Sequence, residues 1–280
     1  MSTMSTVTIT PVGPARPTHQ PGFTDLMRSE WTKFRTLRST WWSLGSTLAV
    51  ALGVSILATS VTTAHYATLD PDTQTQFHND TIGLFLQPGS TFGELVISVL
   101  GVLLIASEYS TGMIRATVLA APRRTPVLLA KAAVLAGVVF VTSEVIAWLS
   151  FFINGSIASK YVKVTLGTPG TLRALLGFGL VMAMTALIAL ALGALLRHTA
   201  AAISVALGFS LVVPLLISLI PGDIGNRLSY AMPARAGQLI MDRTETAGTP
   251  YTQWAGLGIV ALWTVGLLAL ALWSIKKRDV

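Results

Sequence analysis

Six apolar stretches of bilayer-spanning character leave this chain few ways to fold in water. They run from about 41 to 62, 91 to 106, 127 to 152, 172 to 196, 200 to 220 and 254 to 275. A hydrocarbon core about 30 Å thick takes roughly 20 helical residues. The second stretch is the shortest, and a patch before it, Ile82 to Leu86, ends at Gln87-Pro88-Gly89 and could dip into the membrane on its own. Apolar residues gathered in blocks, rather than spread at helical period, are the pattern of a polytopic membrane protein. The expected fold is all-α with six transmembrane helices.

Composition agrees where it bears on class. Hydrophobic residues make up 52% and charged residues only 11%, against about a quarter charged in ordinary soluble domains. The absence of cysteine removes disulfides, thiolate metal sites and cysteine nucleophiles together. A net charge of +7 could point to nucleic acid, but the basic residues sit beside the apolar stretches, where membrane topology explains them. No nucleic-acid partner is expected.

Residues 1–22 are rich in Ser, Thr and Pro and read as a disordered tail. No apolar core of a signal peptide precedes residue 41, so none is expected to be cleaved. From 23 to 38 the pattern is that of an amphipathic helix. Phe23, Leu26, Met27, Trp31, Phe34 and Leu37 share one arc while Asp25, Arg28, Thr32, Arg35 and Thr36 face away. Basic residues flanking an aromatic face suit a helix lying in the membrane interface. Glu30 falls inside the apolar arc; either it meets a basic partner, since an unpaired carboxylate there is costly, or it sits at the edge in solvent. Residues 39–280 form the six-helix domain.

Orientation follows from Lys and Arg. Thirteen lie on the side that holds both termini and the 107–126 turn, six lie on the other, and the loop 63–90 carries none. The positive-inside rule then puts both termini in the cytoplasm. The turn between the second and third spans is cytoplasmic by the same rule. Within it, Gly112 to Ala120 has helix-forming residues with apolar Met113, Ile114, Val118 and Leu119, and Pro122 and Pro126 punctuate the return. So short a helix cannot hold itself up in water. Glu108 and Arg115 could close the turn as a surface salt bridge, or the helix could present a docking surface for a partner groove.

These residues carry a resemblance. Ser-Glu-Trp-Thr-Lys-Phe-Arg at 29–35, six spans, and Glu-Tyr-Ser-Thr-Gly-Met-Ile-Arg at 108–115 resemble the ABC-2 type membrane subunits of bacterial ATP-binding-cassette transporters. The resemblance implies that the first helix, with Glu30, Trp31, Phe34 and Arg35, is a connecting helix at the membrane surface. It implies that Glu108, Tyr109, Gly112, Met113, Ile114 and Arg115 belong to a coupling helix contacting the ATPase subunit. It also implies a segment after the fifth span, here 221–253, that folds partly back into the membrane from outside.

No G-x-x-x-x-G-K-[ST] stretch exists in the chain, which has no Gly-Lys pair at all. The usual phosphate cradle is therefore missing. ATP and Mg²⁺ would be bound by a partner ATPase, with no cofactor held by this chain, and two membrane subunits, in the simpler case two copies of this chain and otherwise a heterodimer, would enclose a pathway in the bacterial cell membrane. Glu94 and Glu144 are carboxylates within spans, where charge is expensive; they are candidates for a substrate path or for taking up protons. Glu94, near the outer end of its short span, is read as reaching the headgroups, and Glu144 as the deeper of the two. His65, His78, Asp70, Asp72 and Asp80 share an outer loop but match no metal pattern, and no metal site is expected. Glycines and alanines at 177, 179, 193 and 200–202 read as helix packing, and Pro214 as a kink. Export of a hydrophobic or amphipathic compound through a separately powered permease explains the entry helix and the cytoplasmic turn together. A self-powered secondary transporter, which favours paired broken helices and mid-depth charge, and an integral membrane enzyme, which needs an acid, base or nucleophile cluster, are the alternatives.

Overall fold

The structure is a computed structural model that describes residues 22–112, 124–244 and 248–277. The tail through 21 and most of the expected coupling helix, including Met113, Ile114 and Arg115, lie outside the described residues. Every regular element among the described residues is helical: α1 (Phe23–Thr36), α2 (Arg38–Ala64), α3 (Pro71–Asn79), α4 (Thr81–Ser110), α5 (Arg124–Ala158), α6 (Thr171–Leu196), α7 (Thr199–Leu207), α8 (Val213–Ser218), α9 (Gly222–Tyr230), α10 (Pro233–Leu239) and α11 (Gln253–Lys277). A π turn, Gly208–Val212, joins α7 to α8. Six of these pieces are long and apolar enough to cross a membrane: α2, α4, α5, α6, the α7–α8 unit and α11.

The amphipathic entry helix stops at Thr36. Leu37 is extended, with φ −78° and ψ 116°, and α2 starts at Arg38. The corner is tied by the Trp41 indole, which donates to the Arg35 carbonyl at 3.0 Å. α4 departs most from its sequence boundary. It runs thirty residues, about 45 Å, and passes straight through Pro88 rather than beginning after it. A membrane helix tolerates such a proline where neighbours satisfy the disturbed backbone. Here Ser55 on α2 donates to the Phe85 carbonyl at 2.6 Å, and the Asn154 amide on α5 in turn donates to the Ser55 hydroxyl. Asn154 is fully buried in that chain of bonds.

α4 and α6 form the centre of the bundle. They approach closely because a side chain is missing where they cross: a Cβ on Gly101 would stand 2.5 Å from the Ala186 carbonyl oxygen. α2 buries Thr40, Leu44, Thr47, Ala51, Ser55, Thr59 and Thr63, a row of mostly small polar residues, and turns Leu57 and Val61 outward. This inverts the soluble pattern, since small residues let membrane helices pack closely while large apolar ones meet lipid.

The segment between the fifth and sixth spans forms two short helices, and the second is tucked inward. Trp263, ten residues into α11, donates its indole hydrogen to the Ala231 carbonyl at 2.9 Å. The connection between α9 and α10 therefore lies level with the middle of a span. Gly237 on α10 and Gly177 on α6 make room for Val181 and Ile240 respectively. Within the segment Leu239 and Ile240 are buried while Leu228 is exposed, and the break at Met232-Pro233 divides it into two helices. A π turn stands just before Pro214, which lies in the first turn of α8.

At the end of the bundle that holds the 63–90 connection, this segment is latched by charge. The Arg243 backbone N–H donates to Asp80 at 2.7 Å and its guanidinium to the Asn79 carbonyl at 2.6 Å. Arg173 donates to the carbonyls of Asp242 and Arg243, and Gln87 donates to the Asp242 carboxyl. Burial, and then the negative Asp80 beside it, push the Asp242 carboxyl up to about 8, against the opposing pull of Arg173 and Gln87. An acid whose pKa rises on folding holds an extra proton in the folded state between its unfolded value and its folded one. Stability is therefore present at low pH and is lost as pH climbs from about 4 to about 8. We expect the melting temperature to fall across that window, and Asp242→Asn, which mimics the protonated acid, to flatten the fall; an unchanged slope in the variant would rule out Asp242 as its source.

Candidate functional site

Four charged side chains meet where α1, the end of α4 and the start of α5 come together. The Lys131 ammonium on α5 lies 2.6 Å from Glu30 Oε2 on α1 and 2.9 Å from Glu108 Oε1 on α4. Lys33 on α1 adds contacts of 2.7 Å to Glu30 and 3.3 Å to Glu108. Glu30, Glu108 and Lys131 are buried, Lys131 to 3% exposure. Two carboxylates and two ammoniums cancel, which is what allows them to be buried together.

Burial alone would push Glu30 up, but the ammoniums of Lys131 and Lys33 outweigh it and hold its carboxyl below the ordinary value. Lys33, where burial works downward, is held above its own by Glu30 and Glu108. A depressed carboxylate supplies stability above its unfolded pKa, and a raised lysine supplies it below its own. The cluster is thus intact across the whole neutral range.

The sequence-expected residues divide around this cluster. Glu30 has the basic partner its place in the apolar arc demands. Phe34 is buried and Trp31 half out in solvent, their rings parallel with centroids 6.5 Å apart, while Arg35 is exposed. Glu108 pairs with Lys131 and Lys33; the alternative partner, Arg115, lies outside the described residues. Tyr109 sits under the Arg197 guanidinium at 5.4 Å. Gly112 has φ +71°, the left-handed position that ends a helix cheaply only when no Cβ is present. Neither Lys33 nor Lys131 stands out in the sequence as a site residue, since each is one of the many basic residues on the same face. A lysine seven residues inside α5, just within an apolar run, was the signal available.

Glu94 lies elsewhere in its helix than its sequence position suggests. Because α4 begins at Thr81, Glu94 falls near the middle of its helix rather than at the outer end. Its carboxyl does not reach the headgroups: the residue is 4% exposed and Oε1 has no hydrogen-bond partner. Glu144 is less enclosed. Its carboxyl lies over Gly179, where a Cβ would come within 2.2 Å of Oε1, beside an apolar groove of Phe140, Val141, Val145, Trp148, Leu149 and Phe152. The two carboxylates are not brought together by one cavity. No group of three or more His, Cys, Asp or Glu able to hold a metal occurs among the described residues.

The sequence matches the family described as ABC-2 family transporter protein over residues 27–280. The chain belongs to that family. A comparison with curated proteins finds no match. As an ABC-2 protein it is a multi-pass membrane component of an ABC transporter, a permease rather than a catalytic subunit, and such permeases typically work with an ABC ATPase. The match begins inside α1 and takes in the whole four-residue cluster, so the buried charges lie within the family's own domain.

Proposed function

We propose that this permease exports a hydrophobic or amphipathic compound from the cytoplasm, powered by a separate ATPase that docks on residues 108–120, and that it works as a homodimer in the bacterial cell membrane with both termini inside. The observation that carries the reading is the Glu30–Lys33–Glu108–Lys131 cluster. It binds together α1 and the two helix ends that flank the expected coupling segment. A force applied to that segment would be passed to α1, α4 and α5 at once instead of being absorbed by a pliable turn. The α7–α8 unit, little buried, offers Leu211, Val212, Leu215, Leu216 and Leu219 outward, an apolar face suited to a second copy. Isologous pairing of that kind is the commonest oligomer symmetry.

The test is copurification of ATP hydrolysis with the tagged chain. Activity should copurify with the native protein and be lost when residues 113–120 are replaced by a Gly/Ser run, with the thermal transition retained. Arg115→Glu should lower substrate-stimulated hydrolysis more than it lowers protein yield. A native chain that carries no hydrolase, or that moves solute without one, contradicts the reading and favours a secondary transporter.

A further inference from the structure

Glu94 opens on a cavity of about 10 Å³, room for one water-sized species. Its walls come from five elements: Ser98 beside Glu94 on α4, Thr185 on α6, Ala206 on α7, Ser210 on the π turn, and Pro233 on the inward-tucked α10. Glu94, Ser98 and Thr185 are buried, and the π turn is the half-exposed wall. A single unpartnered carboxyl at mid-span, facing hydroxyls across a space for one small particle, is not explained by packing. Groups buried at that depth without a partner are costly and are kept where they serve a pathway or a ligand.

The donor set limits the ligand. All of its polar groups are oxygens, which suits hard cations and gives nothing to soft metals. One carboxylate balances one positive charge, so a divalent ion would be left under-neutralised. The volume excludes an organic ammonium. We propose that Glu94, Ser98, Thr185 and Ser210 form a sodium site, filled in exchange for the carboxyl proton.

The exchange balances simply. With the acid neutral, the cavity needs no counter-charge, and a neutral carboxyl costs far less at that depth than a carboxylate. Sodium entry displaces the proton, leaves a carboxylate–sodium pair that is also neutral, and releases one H⁺ to solvent. Because Ser210 belongs to a π turn, a local register that recurs at functional sites, filling the cavity favours the π form of the fifth span over the regular helix that would carry Ser210 elsewhere.

The experiment uses the full chain in lipid nanodiscs and infrared difference spectroscopy, comparing sodium chloride with choline chloride at fixed pH. Sodium should bleach a protonated-carboxyl stretching band, with proton release in a weakly buffered sample. Glu94→Gln should abolish both signals, and Asp223→Asn, at an exposed carboxylate on α9, should keep both. Ser210→Ala, which retains the carboxyl and removes one ligand, should raise the half-saturating sodium concentration about tenfold. A band that responds to pH but not to sodium, or a sodium response that survives Glu94→Gln, overturns the proposal. Neither result depends on whether an ATPase drives transport.

Discussion

Replacing Lys131 with methionine should destabilise the protein by about 3–5 kcal/mol, the cost of leaving buried carboxylates without their counter-charge. Lys131 is the only one of the two lysines that is fully enclosed, and it bridges Glu30 and Glu108 from a third helix. Lys33, about a third exposed, cannot neutralise both acids from α1. Thermal melts in nanodiscs would measure the loss. The diagnostic result is partial recovery in Lys131→Met with Glu30→Gln, because that pair deletes a charge of each sign and leaves Lys33 facing Glu108. If the double variant is no more stable than Lys131→Met alone, the charges do not act as a unit. Coupling should fail even where folding recovers, since α1 is then no longer held to α5 by an ion pair.

Gly101→Val should cost about 3 kcal/mol, the upper end of what overpacking does in a close-packed interior. The obstruction is backbone: the new Cβ would meet the Ala186 carbonyl at 2.5 Å and the Ala189 Cβ at 2.9 Å. No rotamer relieves a contact made at Cβ itself, so α4 and α6 must separate. Gly137→Val on α5, with nothing within 4 Å of its Cβ, controls for the effect of valine in a span and should leave the melt almost unchanged. Equal losses at both positions would show that the α4–α6 crossing does not depend on the glycine. Parting these helices would also open the cavity beside Glu94, which lies two turns from Gly101 on the same helix and faces Thr185, next to Ala186.

Hydropathy located the six spans because bilayer thickness sets one length for all of them. It did not locate their inward faces. Along α2 five of the seven buried residues are Thr or Ser (Thr40, Thr47, Ser55, Thr59 and Thr63), so a rule that buries large apolar residues misplaces the inward face. Pro88-Gly89 has the form of a boundary in water, yet α4 continues through it because its neighbours supply the bonds and the space. A Cβ on Gly89 would meet the Ala51 carbonyl at 2.7 Å, so the glycine serves the contact with α2. That one difference moved Glu94 from the headgroups to mid-span. Glu30 was legible as a misfit in an amphipathic arc, but its partner Lys131 stands 101 residues away, and no local pattern carries such a pairing. The latch between Arg243 and Asp80 was hidden for the same reason, its partners standing 163 residues apart.

The account rests on the ion cluster and the segment beside it facing the cytosol. The chain has no cysteine, so single cysteines can be placed and labelled with a membrane-impermeant maleimide in intact cells. Thr73→Cys on α3 should label directly, and Thr117→Cys should label only after the cells are permeabilised. Direct labelling at 117, with protection at 73, would turn the protein over in the membrane and contradict the account.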